Sequence, residues 1–162
     1  MRSEQHSYEL TVEWTGNLGT GTSGYRSYSR DCEVSAAGPL VILASSDPQF
    51  RGDPDRWNPE QLFLASVSQC HLLWYLHLAA EAGLVVTEYV DDASALLVEE
   101  ASGAGQFASM TLRSRVSIGG PVDPGTETRA RELHDEAGRM CFIARSVKFP
   151  IHHQATIVVG PD

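Results

Sequence analysis

The chain has 162 residues, of which 42% are hydrophobic and 20% charged, and a formal net charge of -9. The acidic balance excludes non-specific binding to nucleic acid or to an anionic membrane, both of which need a basic face. The composition is that of a globular chain rather than a disordered one, and one domain over residues 1–162 would bury roughly 70% of the surface an unfolded chain exposes.

In chain order, residues 8–14 (YELTVEW) alternate polar and apolar and predict a strand. The glycine-rich stretch 16–24 predicts a turn or wide hairpin loop. Residues 28–35 and 39–46 predict two further strands. Residues 47–57 (DPQFRGDPDRW) hold two prolines, a glycine and several charges, the marks of an irregular loop long enough to be functional. Asn58 then caps a helix, with Pro59 in the first turn, where its missing N–H is harmless. Glu60 lies at the positive end of the helix dipole. The helix should run to Ala82 and stop at Gly83. Residues 93–102 and 107–118 predict an antiparallel pair, residues 122–142 a second helix ending near Gly138, and residues 151–159 a last strand. The order β-β-β-α-β-β-α-β predicts an α+β layout with helices on antiparallel sheets.

No N-terminal run resembles a signal peptide, and no segment is expected to span a membrane. Cys32, Cys70 and Cys141 are too few and too far apart for a disulfide scaffold, so the expected location is a reducing cytoplasm. Three readings of the thiols compete there: inert core residues, metal ligands or redox groups. Most buried cysteines are inert. A metal site built from Cys70, His71, Cys141 and a histidine lacks the close ligand pair that zinc sites usually show. The expectation is therefore no metal and no resident cofactor. For redox chemistry, Glu60 and Cys70 lie ten residues apart, near three turns and so on nearby faces of one helix. Arg51 and Arg56 precede that helix, and an arginine beside a thiol favours the thiolate. A carboxylate such as Glu60 can hold a guanidinium bidentately and aim it.

The motif NPEQLFLASVSQCH, followed by a cysteine in GRMCFIARSV, resembles the OsmC/Ohr family of osmotically inducible and organic-hydroperoxide-resistance proteins. Glu60, Cys70 and Cys141 match the family's glutamate and two cysteines, and the resemblance covers essentially the whole chain. It implies an OsmC-like α+β fold, with antiparallel sheets on long central helices in an intertwined homodimer. It also implies a thiol peroxidase that reduces organic hydroperoxides, with hydrogen peroxide as a further substrate. Cys70 would be the peroxidatic residue and Cys141 the resolving one, and a small dithiol or a lipoylated protein would restore the pair. An arginine would stabilise the thiolate and Glu60 would anchor it. Arg51 stands nearest the place used by the OsmC-like branch; Arg26 and Arg30 are the alternatives for the Ohr-like branch. His71, Phe63 and Trp74 are the candidate pocket residues.

His71 follows Cys70 where better-characterised branches carry an apolar or aromatic residue. Adjacent helical residues point about 100° apart, so His71 is expected to face another neighbour, across a dimer interface. His77 is expected on the Cys70 face two turns on, and His152 and His153 on opposite sides of a strand. Cys32 reads as a bystander. The competing function is a non-catalytic module, binding a small hydrophobic ligand along Trp57, Phe63, Trp74 and Tyr75 or sensing redox state.

Overall fold

In the computed structural model, which describes residues 4–160, the chain separates between Leu62 and Phe63 into two units. The extreme ends of the predicted 1–162 domain lie outside the described residues.

In the first unit, β1 (Thr11–Trp14), β2 (Cys32–Ser35) and β3 (Ile42–Ala44) form an antiparallel sheet in that order. Each strand is shorter than predicted. The Trp14 indole N–H donates to the Ser29 carbonyl at 2.8 Å. Gly16 lies against that same carbonyl, so close that an added Cβ would stand 2.0 Å from the oxygen. Only glycine lets the two ends of the long β1–β2 connection approach this closely. The loop after β3 folds into one 3-10 turn, Pro48–Phe50, because the Asp47 carboxylate accepts the Gln49 N–H at 2.8 Å.

The predicted cap is present. Asn58 Oδ1 accepts the Gln61 N–H at 2.8 Å, and Gln61 Oε1 accepts the Asn58 N–H at 3.2 Å. This reciprocal pair satisfies two amide groups at the start of α1 (Pro59–Glu81). The helix ends at Gly83, whose φ of 72° few other residues adopt cheaply. By length and mean hydropathy, α1 could cross a membrane, contrary to the expectation that no segment would. Its Val67, His71, Tyr75 and Ala79, four residues apart in succession, are instead buried within the second unit.

That unit is built on three strand segments, each broken once. They are β4 (Val85–Asp91) with β5 (Ser94–Glu99), β6 (Gly105–Leu112) with β7 (Ser114–Gly119), and β8 (Ile151–His153) with β9 (Thr156–Val159). The breaks align, giving sheets ordered β4-β7-β9 and β5-β6-β8. Backbone bonds from the Asp92 N–H to the Arg113 carbonyl (3.2 Å) and from the Gln154 N–H to the Leu112 carbonyl (2.8 Å) carry the ladder across them. β4, absent from the predicted order, pairs antiparallel with β7. The last strand pairs parallel, β8 on β6 and β9 on β7, so the sheets are mixed rather than purely antiparallel. The crossover between them contains α2 (Thr126–Met140), as a parallel connection requires. The helix passes the predicted stop at Gly138 and is capped by Cys141.

Two apolar clusters hold this unit together. One gathers Tyr75, Ala79, Leu84, Val116, Ile118, Ala130 and Ala137. The other gathers Val67, Met110 and Leu112, with Phe63, Phe107 and Phe149 packed against them.

Candidate active site

Cys70 and Cys141, 71 residues apart, meet where α1 passes the C-terminal end of α2. Cys70 is half-buried and Cys141 fully buried, and both are free thiols. The Cys141 thiol is pushed up to about 11, by burial first and by its hydrogen bond to Cys70 second. The Ala144 N–H, 3.3 Å from Cys141 Sγ, opposes that rise without cancelling it. A thiol held in this way keeps its proton. The less buried cysteine is the one that an incoming substrate can reach, and the enclosed one is its neighbour.

The residues flanking the pair were only partly legible. His71 is 1% exposed and lies within its own chain rather than across a dimer interface. Its Nε2 is 3.0 Å from Nδ1 of His134 on α2, and its ring stacks on His153 of β8 with centroids 4.4 Å apart. Tyr75 stacks on His134 at 4.1 Å, and its hydroxyl donates to the Ala130 carbonyl at 3.1 Å. Gly138 lets β8 come this close, since an added Cβ there would lie 3.0 Å from His153 Nε2.

Burial holds all three imidazoles below the usual histidine value. His71 falls to about 3 through burial, then through His153 and His134. His134 falls to about 4 through burial and His153, with Asp135 opposing. His153 is lowered by burial against the pull of Asp135 and Asp91. His71 Nδ1, His134 Nε2, His153 Nδ1 and Asp91 Oδ1 are buried without a hydrogen-bond partner. His134, missed in the sequence, sits at the i−7 position from Cys141, and only that helical spacing hinted at a shared face.

The other expected residues are placed as follows. Phe63 packs with Phe107 and Phe149 at 5.2 and 6.1 Å. Trp74 sets its ring edge-on to Phe142 at 5.6 Å and lines a shallow apolar groove with Leu73 and His77. Phe63, Trp74 and His71 therefore contribute to three different clusters and not to one pocket. His77 is exposed and lies 3.5 Å from Glu81. His152 is exposed and His153 half-buried, on opposite sides of β8 as expected. Cys32 sits in β2 between Trp14 and Ala44.

In the first unit, Glu60 lies in the first turn of α1 with Oε2 buried and unpartnered. Arg51 is exposed in a left-handed conformation at the end of the 3-10 turn. Arg26 is exposed, and Arg30 is folded over the Tyr25 and Tyr28 rings while donating to their carbonyls. Arg56, half-buried like Arg30, lies 3.6 Å from Asp53 and 3.8 Å from Asp31, with Nη1 buried and unpartnered. Among the described residues, no three His, Cys, Asp or Glu side chains are arranged to hold a metal ion.

The chain is similar in fold and sequence to known proteins. A structure of an OsmC-like protein of unknown function from Vibrio cholerae is 28% identical, with a TM-score of 0.83 over 94% of this chain and 100% of that one. The organic hydroperoxide resistance protein of Elizabethkingia anophelis superposes with a TM-score of 0.63 at 18% identity, covering 97% of this chain and 100% of its own. One from Legionella pneumophila does so with 0.62 at 15% identity, over 95% and 99%. At those identities the likeness is one of fold. No curated protein matches the chain. The profile described as OsmC-like protein matches residues 52–156, which include Glu60, both cysteines of the pair and all three stacked histidines, and the chain therefore belongs to the OsmC-like family.

Proposed function

We propose that this protein is a thiol-dependent hydroperoxide reductase with Cys70 as the attacking and Cys141 as the resolving residue. The observation that carries this reading is the adjacency of the two free thiols, a half-buried Cys70 beside an enclosed Cys141 whose thiol burial holds well above its usual value. The Cys70 thiolate attacks the distal peroxide oxygen. The O–O bond breaks, the alkoxide leaves and takes a proton, and Cys70 becomes a sulfenic acid. The Cys141 sulfur then displaces water from Cys70, and its proton leaves with the hydroxide. Two external thiols reduce the resulting disulfide and are themselves oxidised to a disulfide.

The apolar groove of Leu73, Trp74 and His77 beside Phe142 favours an organic over an inorganic peroxide. The family resemblance assigns supporting roles to Glu60 and Arg51, and Arg56 competes for the arginine's part because one of its guanidinium nitrogens is buried and unsatisfied. Alanine at each arginine separates them by kcat/KM. A homodimer in the cytoplasm, reduced by a small dithiol or lipoylated protein, completes the proposal. Exposed Leu73, Leu76 and Phe142 supply apolar surface for such a dimer.

The test is rapid-mixing consumption of cumene hydroperoxide. Cys70→Ser should abolish turnover, whereas Cys141→Ser should allow one rapid reduction and then stall. Equal rates for wild type and Cys70→Ser would refute the mechanism. Mass spectrometry after one equivalent of peroxide should show a Cys70–Cys141 bond and leave Cys32 free.

A further inference from the structure

Thiol chemistry at Cys70 and Cys141 does not use the three histidines beside it, yet these are among the most unusual buried groups in the molecule. His71 adjoins Cys70 on α1, and His134 precedes Cys141 on α2 by seven residues, about 10 Å along a helix axis. The same two helices therefore carry both the thiol pair and the His71–His134 bond. His153 closes the stack from β8 and is seated against α2 at Gly138.

We propose that the His71–His134 hydrogen bond, clamped by the His153 ring, is an acid-releasable clasp that holds the Cys141 end of α2 against Cys70. The inference rests on the dithiol reading above and extends it to regulation. A bond between Nε2 of His71 and Nδ1 of His134 needs one ring to donate and the other to accept. Whichever tautomer is present, one outer nitrogen carries a hydrogen and the other a bare lone pair, and neither has a partner. A first added proton creates a cation whose new N–H has no acceptor. A second leaves two donors facing each other across 3.0 Å. Both steps are relieved by parting the helices and admitting water.

The groups around the clasp modify this without cancelling it. From α1 come Cys70 and the Tyr75 ring; from α2, Asp135 and Arg131; from β4, Asp91 and Tyr89; from β8, His152. Asp91 and Asp135 favour a proton on His153, which then presents its charge to the face of His71. Protons shared by the stack thus act on one contact, the one between α1 and α2. The consequence is a dithiol that closes readily near neutral pH and loses its preorganisation in acid.

The experiment is the equilibrium of the Cys70–Cys141 disulfide against glutathione redox buffers, approached from both the reduced and the oxidised sides, at pH 7.5 and 5.0. No peroxide is involved. The reference variant is His71→Gln with His134→Asn, which offers amide groups near the Nε2 and Nδ1 positions but cannot take up a proton. Wild type should lose at least tenfold in the equilibrium constant on acidification, and the variant less than threefold. Parallel pH profiles, or a flat wild type, overturn the clasp. Should the double variant not fold, histidine NMR on wild type decides: His71 and His134 are expected to stay neutral until the helix contact opens. Either ring titrating near 6.5 with the reduced protein intact overturns the clasp. A disulfide that forms at neither pH removes the peroxidase reading together with this one, while one that forms equally at both removes only the clasp.

Discussion

Acid should destabilise this protein in a way that traces to two side chains. His71 is 1% exposed and His134 3% exposed, and their folded values are about 3 and about 4, against ~6.5 for an unfolded histidine. The depressed values mean that the unfolded chain binds more protons, so stability falls as pH drops below 6.5 and goes on falling until the folded values are reached. At pH 5.0 each residue costs about 2 kcal/mol, since one unit corresponds to ~1.4 kcal/mol. The pair therefore removes about 4 kcal/mol, a large part of the ~5–15 kcal/mol that holds a domain. Urea unfolding of the reduced protein, followed by tryptophan fluorescence, reads this directly. With a slope of about 2 kcal/mol per molar, the midpoint should move down by about 2 M between pH 7.0 and 5.0. His71→Gln/His134→Asn should remove most of that shift, leaving the part due to His153 and to carboxylates. An equal shift in variant and wild type would show that the imidazoles are not desolvated as the stack implies.

Three further outcomes are expected. Met110, fully buried between Val67 and Leu112, should lose about 2–5 kcal/mol on Met110→Ala, measured as the change in urea midpoint at constant slope. Asn58→Ala removes the acceptor of the Gln61 N–H and should cost about 1 kcal/mol, with no change in Cys70 alkylation rate if the effect is confined to the cap. Cys32→Ser, in β2 of the first unit, should leave cumene hydroperoxide consumption within about twofold of wild type, because it replaces only a half-buried thiol by a hydroxyl that the Cys70–Cys141 chemistry does not use. A larger loss would give that thiol a redox role.

Residues 58–83 announce themselves locally. An Asn-Pro-Glu start, Gln61 three residues after Asn58 and a stop at Gly83 specify the helix through contacts within four residues of each other, the range over which helical hydrogen bonds act. The pattern of Glu60, Cys70 and Cys141 was read through its likeness to a family pattern, not through local contacts. β4 was not legible, because VVTEYVD lacks strict alternation and follows a helix directly. The parallel pairing of the last strand was hidden as well, since the residues of 151–159 are compatible with either direction, and the crossover through α2 decides it. Among the arginines, chain position pointed to Arg51, while ion pairs with Asp31 and Asp53 and a buried, unpartnered guanidinium nitrogen distinguish Arg56.

The sequence by itself determined a helix with a cysteine near its middle, a second cysteine after another helix, and the family to which that pattern belongs. Tertiary structure alone decided what each thiol touches. Cys141 is enclosed and protonated because the end of α2 is buried beside Cys70. His71 meets His134 and His153 across separations of 63 and 82 residues. No local periodicity encodes contacts of that range; they exist because two helices and a parallel strand close on one dry core, where a ring nitrogen without a partner is costly and a neutral one is favoured.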